Sequence, residues 1–448
     1  MMSPESLANA DDNIAGWFET EFGGTVIDLT RQTRWRPVWF ATVERDGERH
    51  DLCVRGDRTD MPLIFPLEHE MTLQRLLGEH GIPVATVRGW IDEPMAYVMD
   101  RVSGQEHFPD VPDEERAAAV DDYLAILARI HALPVEPFAA AGIRRADDPA
   151  ESGLVGLRRY EEHYRSQKVH PDPFLEFCLG WLARNPVDTR GREAPIVWDS
   201  GQFHHENGRI VAVLDLEIGH IGDPMMDLAA WRMRDTIVGY GDMAALYARY
   251  EELSGAPVDI EAIQWHHMMF TLSNQLAYSH ALREPSPASD LMTNLQWCYE
   301  TNLFATEAWA EKLGLDLPTV DMPEPRVSTA DVGHAHMTRA LRSIATDDPF
   351  VQHEVRVLFR LARHLARRDE IGDAVEAADL DDLERLLGAR PHDWRDGEAK
   401  LERFVLDDAT GAHDHELVRL FHRRNLRAHM TLGPPGSAMT HHHTIQPF

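Results

Sequence analysis

The sequence predicts an α+β fold of two lobes, the first strand-rich and the second helical, followed by an all-helical C-terminal extension. Three observations carry this prediction. Between Gly23 and Gly104 apolar residues recur at every second position, in runs separated by turn signals. From about Glu114 the apolar period lengthens to that of amphipathic helices. Within that helical half, Pro195–Trp231 breaks the pattern with Asn207-Gly208, a strong hairpin signal because both positions tolerate positive φ.

Taken in order, residues 4–22 read as a short amphipathic helix carrying Leu7, Ile14, Trp17 and Phe18. Strands are expected at Thr25–Leu29, Val38–Glu44 and His50–Arg55, the last two joined by Asp46-Gly47. A helix follows at Leu67–His80 and stops at Gly81, the residue best suited to the left-handed position after a helix end. Strands at Val84–Trp90 and Ala96–Arg101 complete a first lobe, residues 1–104: a helix plus a five-stranded antiparallel sheet with one helix. The second lobe, 105–318, is expected to hold helices at Glu115–His131, Gly153–Ser166, Pro173–Arg184, Met225–Val238, Met243–Glu252, Ile260–Leu282 and Ser289–Leu313, with the hairpin among them. Asp316–Arg326 contains three prolines and few apolar residues, as a linker does. Residues 327–448 form a third, helical region, with helices at Ala330–Ala345, Pro349–Arg368, Ala374–Leu387 and His413–His429.

Composition narrows the function. The chain has 75 acidic against 44 basic side chains, a net charge of −31, which excludes a general nucleic-acid binder and disfavours docking on anionic lipid. Cys53, Cys178 and Cys298 are far apart and lack metal-ligand spacing, so buried reduced thiols in a cytoplasmic protein are expected. The N-terminus is polar and acidic, unlike a signal peptide, and no apolar stretch reaches the ~20 residues of a membrane span.

The hairpin is the chemical centre. Its return strand, Ile210–Leu214, delivers Asp215 close to Asp199, which precedes the first strand. Two carboxylates so placed repel unless a cation or proton lies between them. The order of elements suits a phosphotransferase in which nucleotide lies between the lobes, a chemistry of positioning and charge neutralisation. Each part has a candidate. Arg55 ends the third strand, where a cation would meet phosphate. Glu70, on the next helix, would hold that cation. Asp199 is the candidate base for an acceptor hydroxyl. Asp215 is the candidate metal carboxylate, with Gln202 as a neutral oxygen ligand; hard oxygens are what Mg²⁺ prefers. The bland alternatives are two unrelated loop acids and a surface ion pair worth about 0–1 kcal/mol.

These residues carry a resemblance. Arg209–Ala229 (RIVAVLDLEIGHIGDPMMDLA), Gly81–Val84, Tyr97–Gly104 and Leu127–His131 resemble the aminoglycoside-phosphotransferase-like (phosphotransferase enzyme) family of protein-kinase-like fold. The nearest branch occurs alone and as domains joined to acyl-CoA dehydrogenase-like enzymes. The resemblance covers roughly residues 20–310. It implies ATP or GTP as co-substrate, Mg²⁺, and a small-molecule hydroxyl as acceptor. It implies Asp199 as the catalytic aspartate, Asp215 and Gln202 at the metal, Arg55 in place of the phosphate-binding lysine, and Glu70 as its partner. Met99, Asp100, Arg101 and Val102 would be the hinge whose backbone meets adenine. Asp223 and Asp227 would be structural.

The chain departs from the family in two places. Only Ser200 and Gly201 separate Asp199 from Gln202, so the catalytic loop is two residues short, and Gln replaces Asn. Where a Gly-rich phosphate loop is usual, Arg31–Pro37 offers three arginines, either to phosphate or to solvent. These departures motivate one alternative, a non-catalytic pseudokinase-like nucleotide-binding or scaffold protein. His204, His205 and His220 raise another, a zinc hydrolase, which is disfavoured because adjacent strand residues face opposite ways. Trp35, Trp39 and Trp198 suggest an aromatic wall, with core packing the ordinary role of at least two. The C-terminal helices suit either a cap over the acceptor cleft or a homodimer interface, the latter favoured.

Overall fold

The structure, a computed structural model, describes residues 4–34, 36–108, 111–287 and 289–448. Trp35 lies outside them. By compactness the chain divides into two units, Met1–Tyr160 with Val187–His267 and Phe448, and Glu161–Pro186 with Met268–Pro447.

The first unit is built on an antiparallel sheet. Strands β1 (Thr25–Arg31), β2 (Val38–Arg45), β3 (Glu48–Gly56), β4 (Val87–Ile91) and β5 (Ala96–Asp100) lie in the order β1-β2-β3-β5-β4. Alternation sends Trp39, Ala41 and Val43 of β2, with Leu52 and Val54 of β3, toward Ile14, Phe18 and Phe22. The N-terminal residues that make this contact form two short α-helices and a π-helical turn, Phe18–Phe22, where one helix was expected. The helix Leu67–Glu79 joins β3 to β4 and buries Leu73, Leu76 and Leu77. This is the expected five-stranded sheet with one helix inserted.

Further along, β7 (Phe203–Glu206) and β8 (Arg209–Val213) form the expected hairpin around Asn207-Gly208, both at positive φ. Flanking it, β6 (Ala194–Ile196) pairs antiparallel with β9 (His220–Gly222), a pairing of three residues each that periodicity does not reveal. The β6–β9 pair closes the stretch into a frame that holds both acids. Trp198 is fully buried, 5.4 Å from Tyr160 and edge-on to His220, and Trp39 is fully buried with Nε1 donating to Asp11 (2.6 Å). Both are core residues.

The second unit is helical. Ile260–Leu282, expected as one helix, breaks at Leu272 into Ile260–Thr271 and Ser273–Arg283, the second of which enters this unit. Pro349–Leu387 is one helix of 39 residues where two were expected. Gly372 reads as a breaker, but it and Ile371 are buried, and burial outweighs the ~1 kcal/mol propensity cost of one glycine. A helix at Trp394–Asp407 was not expected. Asp393 caps it through the N–H of Asp396 (2.9 Å), and Gly397, Leu401 and Val405 form its buried stripe. Among the described residues no helix is long and apolar enough to cross a membrane.

Candidate active site

β3 ends in Arg55, and its guanidinium organises the site. Nε lies 2.7 Å from Oε1 of Glu70, on the helix that follows, and Nη2 lies 2.9 Å from Oδ1 of Asp215. Gln202 donates from Nε2 to Oδ2 of Asp199 (2.7 Å) and to Oδ2 of Asp215 (3.2 Å). Arg55, Glu70, Asp199, Gln202 and Asp215 therefore form one connected network. The short loop is spanned: the longer glutamine side chain reaches both acids.

The backbone at these acids is unusual. Asp215 has φ +55° and Trp198, before Asp199, has φ +58°, a region that costs a non-glycine residue about 1–2 kcal/mol. Asp227 holds the first bend: its carboxylate accepts from the N–H groups of Val197 (3.1 Å) and Trp198 (2.5 Å), and from His131 Nε2 (2.9 Å). Gly201, at φ +94°, donates to the Tyr123 hydroxyl (2.6 Å) and accepts from Tyr240 (2.6 Å). Asp223 is pinned by Arg192, at 2.9 and 2.8 Å, and accepts from Met225 N–H at the start of the following helix.

Glu217 and Arg234 escaped sequence reasoning, and Arg36, one of the three arginines expected to meet phosphate or solvent, turns inward instead. Arg36 is fully buried and pairs with Glu70 (2.9 Å) and Glu217 (2.5 Å), while its Nε donates to Gly56 O (2.9 Å). That arginine of the 31–37 loop thus supports the site from within. Glu217 follows Asp215 by two residues, and Arg234 Nη2 donates to Oδ1 of Asp199. The only sequence signal for Arg234 is its place two turns past Asp227 on the helix Met225–Val238.

Charge is finely divided. Burial alone would pull the Arg55 guanidinium down, but Glu70 and Asp215 hold it well above its ordinary range. Burial raises the Asp199 carboxyl; Arg234 opposes this and the charge of Asp215 adds to it. Burial also acts on Asp215, yet Arg55, Arg36 and Arg234 bring it below the usual carboxylate range. Glu217 is pushed up to about 7 by burial and by Asp215. The two neighbouring acids are thus moved apart, one toward holding a proton and one toward staying charged.

Met99 and Asp100 end β5, opposite Cys53 and Leu52 of β3. Their side chains are turned to neighbours: Met99 Sδ accepts from Gln74, and Asp100 binds Arg88 at 2.7 and 2.8 Å. Arg101 stacks over Phe40 at 4.0 Å, its N–H donating to Asp51 O. Among the described residues no direct bond joins Met99, Asp100, Arg101 or Val102 to the acid network; Met99 is linked to it only through Gln74, which accepts from the Tyr97 hydroxyl (3.1 Å) that also lies 3.3 Å from Glu70. The histidines diverge as well: His204, His205 and His220 each direct a ring nitrogen to a backbone carbonyl. Among the described residues no group of three or more His, Cys, Asp or Glu is arranged to hold a metal ion.

Residues 37–258 match the model of the phosphotransferase enzyme family. The chain carries a domain of that family. The α+β architecture with a helical C-terminal extension, as expected, is the fold of this protein. Among curated proteins the chain is similar to acyl-CoA dehydrogenase family member 11 of Rattus norvegicus, at 25% identity over 212 residues, covering 44% of this chain and 27% of that protein. The same protein of Gallus gallus is 27% identical over 206 residues, covering 42% and 25%. The chain spans about a quarter of the length of these relatives. Among solved structures it is similar to choline kinase LicA of Streptococcus pneumoniae (15% identity, TM-score 0.47, covering 65% of this chain and 97% of that one). It is also similar to the macrolide 2'-phosphotransferase MphH of Brachybacterium faecium (19%, 0.44, 62% and 94%).

Proposed function

We propose that this chain is a small-molecule kinase, moving the terminal phosphoryl group of ATP or GTP to a hydroxyl group. The observation that supports this best is the linkage Glu70–Arg55–Asp215–Gln202–Asp199 within one network. In this reading Arg55, oriented by Glu70, offsets phosphate charge. Asp199 aligns the acceptor hydroxyl and takes its proton, and the backbone of Met99, Asp100, Arg101 and Val102 meets the base of the nucleotide. Asp215 and Gln202 would hold Mg²⁺. Asp215, held below the usual carboxylate range, is a hard anionic donor, and Gln202, whose Nε2 here faces both acids, would turn its amide to offer Oε1. When bound, Mg²⁺ supplies charge neutralisation at the phosphates.

The acceptor site is assigned to the helical lobe, 105–318, the nucleotide to the lobe 1–104, and a homodimer contact to 327–448. A cytoplasmic location completes the reading. The acceptor is left at the class of hydroxylated small molecules.

One observation favours a second reading, a non-catalytic nucleotide-binding protein. Both oxygens of Asp199 are engaged, by Arg234 and by Gln202. The test is thermal shift with Mg²⁺-ATP and Mg²⁺-GTP, then ADP or GDP release with a panel of hydroxylated small molecules. Nucleotide stabilisation with acceptor-dependent release supports the kinase. Stabilisation without release for any acceptor supports the second reading, and absence of stabilisation defeats both.

A further inference from the structure

In the second unit the helices Asp331–Ser343 and Pro349–Leu387 pack against each other, and two clefts lie between them. One, of about 450 Å³, is bordered by Thr338, Arg339 and Arg342 of the first helix and by Arg363, Ala366 and Arg367 of the second. The other, of about 410 Å³, is bordered by Leu341, Arg342, Ile344, Val355, Arg356 and Phe359. Arg342 lines both, so the clefts adjoin there and form one trough. On the second helix the lining residues Gln352, Arg356, Phe359, Arg363, Ala366 and Glu370 recur every three or four positions, which places them on a single face.

The two ends of the trough differ in chemistry. Leu341, Ile344, Val355 and Phe359 make one end apolar, and Ile344 is 50% exposed. The helix Asp331–Ser343 buries none of its residues, so its apolar side chains stay in contact with water. The other end is cationic. Arg339, Arg342 and Arg363 line it with no ion pair among the described residues. Unpaired arginines stand out in a chain with 75 acidic side chains and a net charge of −31. The carboxylates at this end are engaged: Glu370 pairs with Arg367 (2.7 Å), and Asp331 accepts from Ser328 N–H (3.2 Å). One ring fixes the junction, with Arg342 Cζ 4.8 Å and Arg363 Cζ 5.8 Å from the Phe359 centroid. The two guanidinium groups are thus held within about 11 Å of each other by an uncharged partner, and their N–H donors remain open to an anion.

We infer that this trough binds a free single-chain anionic amphiphile, an alkyl chain bearing a carboxylate or phosphate head. The head meets Arg342, Arg363 and Arg339, and the chain lies along Phe359, Val355, Leu341 and Ile344. A simple anion would leave the apolar end in water, and a neutral or cationic amphiphile would leave the arginines unmatched. Both volumes fall in the range of small-molecule sites, about 300–1,000 Å³. The net charge of −31 opposes an anionic bilayer surface, so the occupant is the free amphiphile and not a membrane. This site belongs to the helical unit and does not depend on the phosphotransferase reading.

The test is isothermal titration of the full chain with decyl phosphate and decanoate below their micelle-forming concentrations. Inorganic phosphate, decyl maltoside and decyltrimethylammonium serve as controls. At least one anionic amphiphile should bind saturably, one per chain, about tenfold or more tighter than every control. Arg342→Gln and Ile344→Asp, both at exposed positions, should each weaken binding about tenfold with Tm unchanged. Leu358→Ser, exposed on the same helix but outside the trough, should leave it unchanged. Saturable binding of neither anion, equal affinity for decyl maltoside or decyltrimethylammonium, or unchanged affinity in Arg342→Gln would each overturn the inference. So would an equal loss in Leu358→Ser, or tighter binding to phosphatidylglycerol vesicles than to the free amphiphiles.

Discussion

Arg55 Nε and Glu70 Oε1 lie 2.7 Å apart, with the carboxylate side chain 3% exposed, and Arg36 approaches the other oxygen of the same carboxylate at 2.9 Å. One glutamate thus holds two guanidinium groups in place. Removing it leaves both buried without their shared counter-charge. Glu70→Gln should therefore destabilise the fold by about 3–5 kcal/mol, read from urea denaturation. In the kinase reading it should also weaken nucleotide binding, because Arg55 loses its orientation.

Asp199 and Asp215 should fail differently when removed. In the kinase reading Asp199→Ala should lower phosphoryl transfer by about 10²–10⁴-fold while nucleotide affinity is largely kept, the signature of a lost general base. Asp215→Ala should weaken Mg²⁺-nucleotide binding itself. Titration calorimetry beside steady-state kinetics separates the two. Wild-type turnover in Asp199→Ala would refute the assignment of the loop.

Arg234 acts through Asp199. Its guanidinium fixes one carboxylate oxygen, so Arg234→Gln should let the side chain drift and cost turnover about 10²-fold, the scale of a misplaced catalytic group. KM for nucleotide should change little. If instead Arg234→Gln turns over faster than wild type, the guanidinium is a restraint on Asp199 and its positioning role is refuted.

The bend before Asp199 depends on Asp227, which is fully buried. Asp227→Ala strands the N–H groups of Val197 and Trp198 and frees His131. A loss of about 2–5 kcal/mol in stability is expected, since two buried donors go unpaired. Gly156 reports on the same region: a Cβ there would come within 2.3 Å of the Trp198 ring, so Gly156→Ala should cost about 1–3 kcal/mol.

In the helical unit the C-terminal tail is held by His442, whose ring nitrogens meet Glu300 (2.8 Å) and Glu307 (2.7 Å). Burial opposes its charge, but the two glutamates raise the imidazole to about 9 from an ordinary 6.5. A raised folded-state value means that the protonated form is the one stabilised. The contribution is full below about 6.5 and is lost as pH rises through about 9. His442→Ala should thus lower Tm at pH 6 to 7 and have a much smaller effect at pH 10. An equal effect at both would show that packing against Phe304, and not charge, holds the tail.

Sheet, hairpin and the convergence of Arg55, Glu70, Asp199, Gln202 and Asp215 were expected from the sequence, and the structure brings these five side chains together. The sheet and hairpin declare themselves through period-two burial and the Asn207-Gly208 turn, which are local signals. The five residues are legible because each sits at the end or start of such an element. Tertiary structure alone decided that Arg36 faces inward, that Glu217 joins the network and that Arg234 meets Asp199, since these pairs lie 181 and 35 residues apart and leave no periodic trace. The same holds for the β6–β9 pairing. It also holds for the unbroken helix Pro349–Leu387, where burial of Ile371 and Gly372 overrides the local preference to stop. Local patterning specifies elements; long-range charge pairing and burial specify which side chains those elements bring together.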